Sequence, residues 1–432
     1  MSEILDFYQQ QAVAMISGEP WQAQLQKNAL NEFMTMGFPN RYQEDWKYTR
    51  TDAFLQHKFF HAPRARTHIE SSLLDVDIYP DRPSMNCHAV AFVNDKIIGL
   101  EALNRGLPPG VIIQPLALAM IEHADIVKKY LSNILVHQHG FHALNTAMLH
   151  NGLFIYLPTG VCLSEPILVS HWQNIAQQVV YMRHLVILDC DSSLNLVEDY
   201  NGDMNTCYMS NAVTEVALGA RANLMHCKVQ RESTLAYHTS HLAVRQTAYS
   251  KFLSHSFSVG GCWVRSDTDI SLDEDYAQCE MNGVYTPSGA QHVDHHTLVA
   301  HRSPNCFSMQ DYKGVLSGQA RAVFNGRIVV FAGAEHTIAK QQNKNLLLSM
   351  QAEIDTKPQL EIFANDILCT HGATVGQLDA EALFYLATRG IGHAEASRYL
   401  VQAFILDNLA RITHVELAQW ISALLVVGRD HG

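Results

Sequence analysis

Apolar and polar residues follow different patterns in successive parts of the 432-residue chain. Near the N-terminus, Ile4, Phe7 and Tyr8 begin a series of apolar positions three or four residues apart, which predicts a helix. A second amphipathic helix is predicted over residues 21–36, and Gly37 would end it. The N-terminal part, residues 1–140, is therefore expected to be helical or mixed.

The sequence signals for secondary structure are weaker in the rest of this N-terminal part. Residues 53–113 look mixed, with a short strand pair at about 89–94 and 96–100. A further single helix is predicted over about 116–135.

A different pattern begins at about Asn145 and continues to Gly376. Short alternating apolar runs separated by Gly, Asn, Asp and Pro indicate β-strands. The runs form a loose repeat with apolar anchors 26 to 30 residues apart, namely Leu188, Leu218, Val244 and Leu272. This spacing is typical of stacked solenoids and predicts a parallel β-helix over 141–377. A β-sandwich is the alternative, but its turns should recur every 8–12 residues.

The C-terminal part, 378–432, is predicted to be a helical domain. Asp379 can cap a helix through Thr388, ended by Gly390, and a second helix covers about 394–410. Thr413 and Glu416 fit a capping box, with Thr413 as N-cap, for a third helix through about residue 427.

Composition narrows the function classes. The formal net charge of −12 argues against nucleic acid or an anionic membrane surface as the main partner. No apolar run approaches the roughly 18 residues of a membrane span. The first 20 residues contain no Lys or Arg, so they resemble neither a signal nor a transit peptide, and a cytoplasmic location is expected. The nine cysteines include no CxxC pair, which predicts free thiols.

Familiar catalytic motifs for nucleotides, acyl transfer and zinc proteases are missing from the sequence. Any nucleotide hydrolysis must therefore come from a partner. Alternating acids Asp267, Asp269, Asp273 and Asp275 could serve a sugar-cleaving β-helix enzyme, but a solvated strand face is the simpler interpretation.

Two histidine-containing segments are candidates for metal binding. The densest is His292-Val293-Asp294-His295-His296, with His301 nearby. On a strand, His292, Asp294 and His296 share a face and could hold a divalent ion. A polar strand face is the alternative, and the corresponding functional hypothesis is a stand-alone metal-binding β-helix enzyme that uses the His292–His301 cluster.

The second segment contains Cys369 and His371, which would share one face of a strand. Thiolate and neutral imidazole both bind iron and zinc. Two ligands do not complete a site, so the others would have to come from another chain. The alternative is a buried cysteine and a hydrogen-bonded histidine.

Several motifs, in this order along the chain, resemble those of the SufB/SufD family. They are ALNTA at 143–147, RAVFNG at 321–326, NKNLLL at 343–348, DTKPQLEI at 355–362, CTHGATVG at 369–376 and FYL with RGI at 384–391, preceded by EDWKYT at 44–49. Gly372 and Ala373 after His371 match the SufD form, whereas SufB has an acidic residue there. Thr370 and Asn365 depart from the usual Ser and Asp.

The resemblance implies a mainly β fold: a right-handed parallel β-helix core flanked by N- and C-terminal helices. It implies a non-catalytic scaffold subunit of the SUF iron–sulfur cluster assembly complex, pairing with SufB through the β-helix cores. SufC would supply the ATPase activity and dock on the C-terminal helices, including Phe384, Tyr385, Arg389, Gly390 and Ile391.

The resemblance also makes His371 the candidate ligand of a nascent Fe–S cluster at the SufB interface, with Cys369 a weaker candidate. A reduced flavin is linked to the family at the level of the complex, but no residue of this sequence indicates a flavin site. A homodimer is conceivable when SufB is absent. No nucleic acid or membrane partner is expected.

Overall fold

Two facing β-sheets dominate the computed structural model, which describes residues 2–61 and 85–425. The helices are α1 Ser2–Met15, α2 Pro20–Met36, α3 Leu100–Asn104, α4 Leu116–Glu122, α5 Ala124–Tyr130, α6 Gly140–Ala147, α7 Ala380–Thr388, α8 His393–Leu409 and α9 Val415–Leu425. The strands are β1 Phe60–His61, β2 His88–Val93, β3 Lys96–Ile98, β4 Ile112–Pro115, β5 Leu153–Leu157, β6 Ile167–Gln173, β7 Gln178–Leu188, β8 Ser193–Gly202, β9 Met209–Leu218, β10 Asn223–Gln230, β11 Tyr237–Gln246, β12 Lys251–Ser258, β13 Trp263–Leu272, β14 Gln278–Tyr285, β15 His292–His301, β16 Phe307–Leu316, β17 Arg321–Val330, β18 Ile338–Leu347, β19 Glu353–Ile362 and β20 Leu368–Gly376.

Successive strands alternate between the two sheets, so the chain winds as a parallel β-solenoid. The first sheet runs β19-β17-β15-β13-β11-β9-β7-β5-β4, with β1 beside β7, and the second runs β20-β18-β16-β14-β12-β10-β8-β6-β2-β3. Each pair from β5 and β6 onward is parallel. The predicted β-helix is therefore confirmed, and the β-sandwich alternative is wrong.

The predicted repeat was in the correct register for some coils and two residues off for others. Leu188 pairs with Leu218, as predicted, but the residue opposite both Leu218 and Leu272 is Gln246, not Val244. Gln246 is fully buried and its side-chain amide donates to the backbone oxygens of Ser250 and Gln278. The polar Gln246 at an inner position interrupted the apolar pattern, so the predicted anchor was two residues away from the true one. Because side chains alternate along a strand, a shift of two residues keeps the same face inward.

Each coil turns between the sheets through one residue in the left-handed region. These residues have φ between 52° and 61° and are Asp191, Arg221, Tyr249, Tyr276, Asn305, His336 and Asp366. Such a conformation is unfavourable for residues other than glycine. The turns stack on one another, with the backbone N–H of Arg221 donating to the Ala248 oxygen and the rings of Tyr249 and Tyr276 4.9 Å apart.

Inside the solenoid, large and small side chains alternate between coils. Gly283 lies opposite Tyr312, and Tyr285 lies opposite Gly314 in the same strand pair. A Cβ added to Gly283 would come within 2.1 Å of the Tyr312 ring, and one on Gly314 within 2.3 Å of the Tyr285 ring. The two glycines therefore make room for two buried tyrosines.

The helices cover the outer faces of the two sheets. Aromatic residues of α1 and α6 pack on outward residues of the first sheet, including Tyr237 and Trp263. Apolar residues of α8 and α9, such as Ile405 and Ile421, pack on outward residues of the second sheet, such as Val284. The two terminal regions thus lie on opposite faces of the solenoid.

Most predicted helices and the β2–β3 hairpin are present, with three differences. The helix predicted over 116–135 is two short helices, α4 and α5, that meet at His123. The helix α6 lies where the β-rich region was predicted to begin. The capping box is wrong: α9 begins at Val415, so Thr413 is not its N-cap, and Glu416 lies 3.2 Å from His414 Nδ1 instead. The predicted end of this helix at 427 and residues 62–84 lie outside the described residues.

No helix in the described ranges combines the length and the apolar character needed to cross a bilayer.

Replacing Gly283 by Ala tests the interlocked interior. The added methyl group would collide with the Tyr312 ring, and we expect unfolding free energy to fall by about 1–3 kcal/mol. Gly376→Ala is the matched control, because a Cβ there meets open space. Denaturant titration of the two variants measures the difference, and equal stability would contradict the packing described here.

Candidate functional site at the open end of the solenoid

The two ends of the solenoid are built differently. At the N-terminal end, the short strands β3 and β4 pair antiparallel with β2 and β5. At the C-terminal end, β19 pairs only with β17 and β20 only with β18, so each leaves one edge unpaired. Unpaired parallel edges present backbone N–H and C=O groups to another strand.

The predicted strand that carries Cys369 and His371 is β20, the last strand of the second sheet. Cys369 lies in register with Ala339, and His371 with Gln341. Ala339 and Gln341 are buried inside the solenoid, so the side chains above them belong to the same inner row. Cys369 and His371 therefore share the face that a further coil would cover, and this chain supplies no such coil.

Their environments differ. Burial raises the pKa of the Cys369 thiol, although a hydrogen bond with the Ala339 backbone opposes the shift. The thiol is therefore the favoured form at neutral pH. The His371 imidazole is exposed and makes no hydrogen bond to any other described residue. In the isolated chain, His371 is the more accessible of the two metal-ligating groups.

A polar column inside the solenoid leads to His371. Thr297 Oγ1 donates to Gln310 Oε1 over 2.7 Å, and Gln341 Nε2 donates to the same oxygen over 3.2 Å. The Gln341 Oε1 atom is buried and has no hydrogen-bond partner among the described residues. Because His371 follows Gln341 in this column, that oxygen is a suitable acceptor for an imidazole N–H.

The sequence interpretation did not single out Gln310 or Gln341. These two residues could have been found from the coil register, because it places polar residues at equivalent inner positions of successive coils.

The rim of this end is apolar. Ile362 is the last residue of β19, Phe363 follows it, and Leu368 and Val375 lie on β20; each exposes between 43% and 64% of its surface. Such a group of exposed apolar side chains beside an unpaired strand edge is typical of a protein-binding surface. Pro358 lies within β19, in the position of an edge strand where a missing N–H is tolerated.

The predicted docking residues lie on and just after α7. The Asp379 side chain accepts a hydrogen bond from the Glu381 backbone N–H over 2.9 Å, which confirms the predicted cap. None of the nine residues of α7 is buried, and Phe384 is 72% exposed. The Arg389 guanidinium lies 5.2 Å from the centre of the Tyr385 ring. Gly390 adopts φ +82°, and the Ile391 N–H donates to the Leu386 oxygen.

The His292–His301 segment is split between the two faces of β15. His292, Asp294 and His296 lie outward, whereas His295 and His301 lie inside the solenoid. The Asp294 carboxylate accepts hydrogen bonds from Arg265 Nη1 at 2.7 Å and Thr49 Oγ1 at 2.5 Å. The predicted shared face of His292, Asp294 and His296 is therefore confirmed, but the charge of Asp294 is already compensated by Arg265.

The alternating acids are also engaged. Asp267 is fully buried and forms an ion pair with Arg265, with Arg265 Nη2 2.7 Å from Asp267 Oδ1. Asp273 lies 3.3 Å from Arg245 and 3.7 Å from Arg302. These contacts give Asp267 and Asp273 structural partners, which favours the structural interpretation of both over acid and base roles in sugar cleavage.

Comparison with known proteins gives two matching families. Residues 2–169 match the family described as the SufBD protein N-terminal region. Residues 171–404, more than half of the chain, match the family described as SUF system FeS cluster assembly, SufBD core domain. The second match includes β20 and α7.

Individual relatives agree with these families. The chain is 27% identical over 404 residues to the iron–sulfur cluster assembly protein SufD of Escherichia coli, covering 91% of this chain and 90% of the relative. It is 26% identical over 411 residues to an iron–sulfur cluster assembly SufBD family protein of Synechocystis, covering 92% and 90%. It is 27% identical over 306 residues to SufD of Bacillus subtilis, covering 68% and 69%.

The inward position of His301 predicts a dependence of stability on pH. Burial lowers its pKa from 6.5 to about 4, and its Nε2 lies 2.8 Å from Ser308 Oγ. The unfolded chain therefore binds this proton at higher pH than the folded chain, so the free energy of unfolding falls as the pH drops from 6.5 towards 4. Between pH 6.5 and 5 this residue should cost about 2 kcal/mol.

Denaturant titrations at pH 7.5 and 5 measure this effect. The His301→Gln variant should lose about 2 kcal/mol less than the wild type on acidification, whereas replacing the exposed His393 should leave the loss unchanged. The same acid sensitivity in His301→Gln as in the wild type would show that His301 is not the group responsible.

Proposed function

The chain belongs to the SufB/SufD family of SUF iron–sulfur cluster assembly proteins, and on that premise we propose that it is a scaffold subunit, of the SufD type, whose open end pairs with SufB. The observation that carries the proposal is the terminal coil. It exposes an inner row with Cys369 and His371, two unpaired strand edges and an apolar rim on the same end of the molecule.

Pairing with SufB is proposed because the last coil of the solenoid lacks neighbouring strands and a covering coil. Strands β19 and β20 have backbone groups without a neighbouring strand, and the inner residues above Ala339 and Gln341 have no coil to cover them. A second solenoid of the same family, meeting this end with its own terminal strands, would supply both. β-Strand addition uses backbone hydrogen bonds for affinity and side chains for specificity.

Pairing would also enclose His371. Two neighbouring subunits can each contribute part of a ligand set, and a neutral imidazole is a good ligand for iron. In this proposal His371 offers one ligand to the nascent cluster, which is the cargo of the complex, and groups of SufB complete the set. Cys369 lies two positions away on the same face, about 7 Å along the strand, and its protonated thiol makes it the weaker candidate.

The helix α7 is the proposed docking element for the SufC ATPase. Its sequence AEALFYLAT is largely apolar, yet none of its residues is buried. Exposed aromatic side chains such as Phe384 and Tyr385 are typical of interface anchors. Because α7 directly follows β20 in the chain, movement of a protein bound to α7 would act on the terminal coil. Through this connection, a movement of SufC driven by ATP hydrolysis would reach the site that the two subunits share.

Replacing His371 by Ala separates a ligand from a structural role. The variant should capture SufB and SufC as well as the wild type does when the three proteins are co-expressed, because the His371 side chain is exposed. It should fail to accumulate iron and sulfide on the complex after anaerobic purification from cells. The measurements are the stoichiometry of the complex and its iron and sulfide content.

The matched control is His336→Ala, which removes another exposed histidine at the same end of the molecule. It should leave cluster content unchanged. Val375→Asp, which places a charge on the exposed inner row, should instead abolish capture of SufB while the chain stays folded. Wild-type cluster content in His371→Ala would exclude the ligand role, and SufB capture by Val375→Asp would exclude pairing through this end.

Replacing Phe384 by Ala tests the docking helix. Loss of a well-packed aromatic anchor costs about 2 kcal/mol or more of binding energy, so SufC capture should weaken by more than tenfold. The control is Ile121→Ala on α4, which removes a similarly exposed apolar residue from the N-terminal region. The measurement is the affinity of SufC for each variant immobilised on a surface. Equal affinity for the two variants would show that SufC docks elsewhere on the chain.

A further inference from the structure

Gln341 lies one coil below His371 in the same inner row of the second sheet. The parallel register of β18 and β20 places the two residues opposite each other. Gln341 exposes only 1% of its surface, whereas His371 is exposed because no further coil covers it. Gln341 is therefore the inner neighbour of the imidazole within its own sheet.

The Gln341 side chain is held in position by groups on both sheets. Its Nε2 atom donates to Gln310 Oε1 over 3.2 Å, and Thr297 Oγ1 of the first sheet donates to the same oxygen over 2.7 Å. Gly326, also on the first sheet, leaves the room for the amide, since a Cβ there would lie 1.8 Å from Gln341 Nε2. The amide therefore reaches across the interior of the solenoid.

These contacts leave one atom of the Gln341 amide unused. Gln341 Oε1 is buried and has no hydrogen-bond partner in the part of the chain that the structure describes. Most buried polar atoms in proteins have such a partner, so each exception requires an explanation. The next residue of the row is His371, and a neutral imidazole carries one N–H that needs an acceptor.

The position of that proton decides whether the imidazole can bind iron. A neutral ring ligates only through the nitrogen without a proton, and a histidine in water populates both tautomers. An acceptor inside the solenoid would hold the N–H inward and leave the lone pair of the other nitrogen directed outward. Hydrogen bonds of this kind fix the tautomer and the orientation of most histidine ligands.

We propose that Gln341 is a positioning residue for His371: its Oε1 atom accepts the imidazole N–H when a second solenoid covers the end, and the other ring nitrogen then faces the nascent cluster. This inference rests on the proposed function, because it assigns a role to a residue that acts through the proposed ligand. Gln310 and Thr297 act one step further back, since they hold the Gln341 amide with its oxygen free.

The other candidate ligand has no comparable support. The residue one coil below Cys369 is Ala339, which is fully buried and has no polar side-chain atom. The inner row of Gln341 thus distinguishes His371 from Cys369 by a second feature, in addition to the protonation of the thiol.

The experiment uses the complex of this chain with SufB and SufC, purified without cluster above neutral pH, with ¹⁵N-histidine in this chain only. The ¹⁵N shifts in magic-angle-spinning NMR distinguish protonated from unprotonated ring nitrogens, and His371→Asn identifies the signals of His371. The wild type should show one tautomer, and Gln341→Leu should show both. In the cluster-loaded complex of Gln341→Leu, removal of half the iron should need about 10–100-fold less competing chelator.

Two further variants separate positioning from packing. Gln341→Glu keeps an acceptor in place and can itself accept from Gln310 Nε2, which is buried without a partner among the described residues. It should restore the single tautomer and the retention of iron. Asn343→Leu removes another buried inner amide two positions along β18 and should leave the His371 tautomer unchanged.

The proposal is overturned if the wild-type complex shows both tautomers of His371, or if Gln341→Leu shows one tautomer and retains iron as the wild type does. If Gln341→Leu does not fold, Gly326→Ala decides by the same measurements, because its methyl group displaces the Gln341 amide without removing it. A wild type that does not capture SufB, or full cluster content in His371→Ala, would contradict the proposed function itself and this inference with it.

Discussion

In-register stacking of parallel strands is the constraint on which the rest of the structure depends. Each coil obtains its backbone hydrogen bonds from the coils before and after it, and its inner side chains are covered only by their equivalents in those coils. Residues of every kind are therefore held in columns: Gly283 makes room for Tyr312, and Gln341 donates to Gln310. Non-glycine residues in left-handed turns are tolerated because each turn rests on the next.

The same constraint makes the last coil incomplete. At the N-terminal end, short antiparallel strands finish the sheets, but β19 and β20 end with a full set of unpaired edges and uncovered inner residues. A solenoid that stops in this way needs a capping repeat or a partner. The family to which the chain belongs works in iron–sulfur cluster assembly, and the incomplete coil, with a histidine on its inner face, is where we propose the assembly site.

The outer faces of the solenoid have a different role. Polar side chains on the first sheet, including Arg265 and Asp294, connect it to the N-terminal segment through Thr49 and the backbone of Asp45. Removing one partner from such a buried network leaves an uncompensated charge, which is strongly destabilising.

Sequence alone determined the solenoid class, the terminal helices and the shared face of Cys369 and His371, because strand alternation and repeat spacing are local properties of the chain. It did not determine the register around Gln246, since an inner glutamine resembles an outer one until its partners at Ser250 and Gln278 are known. Nor could it show that His139 and His142 meet His241 and Asp267, which lie about 100 residues or more away along the chain. Contacts of that kind depend on how many residues each coil uses, and only the stacked structure decides that number.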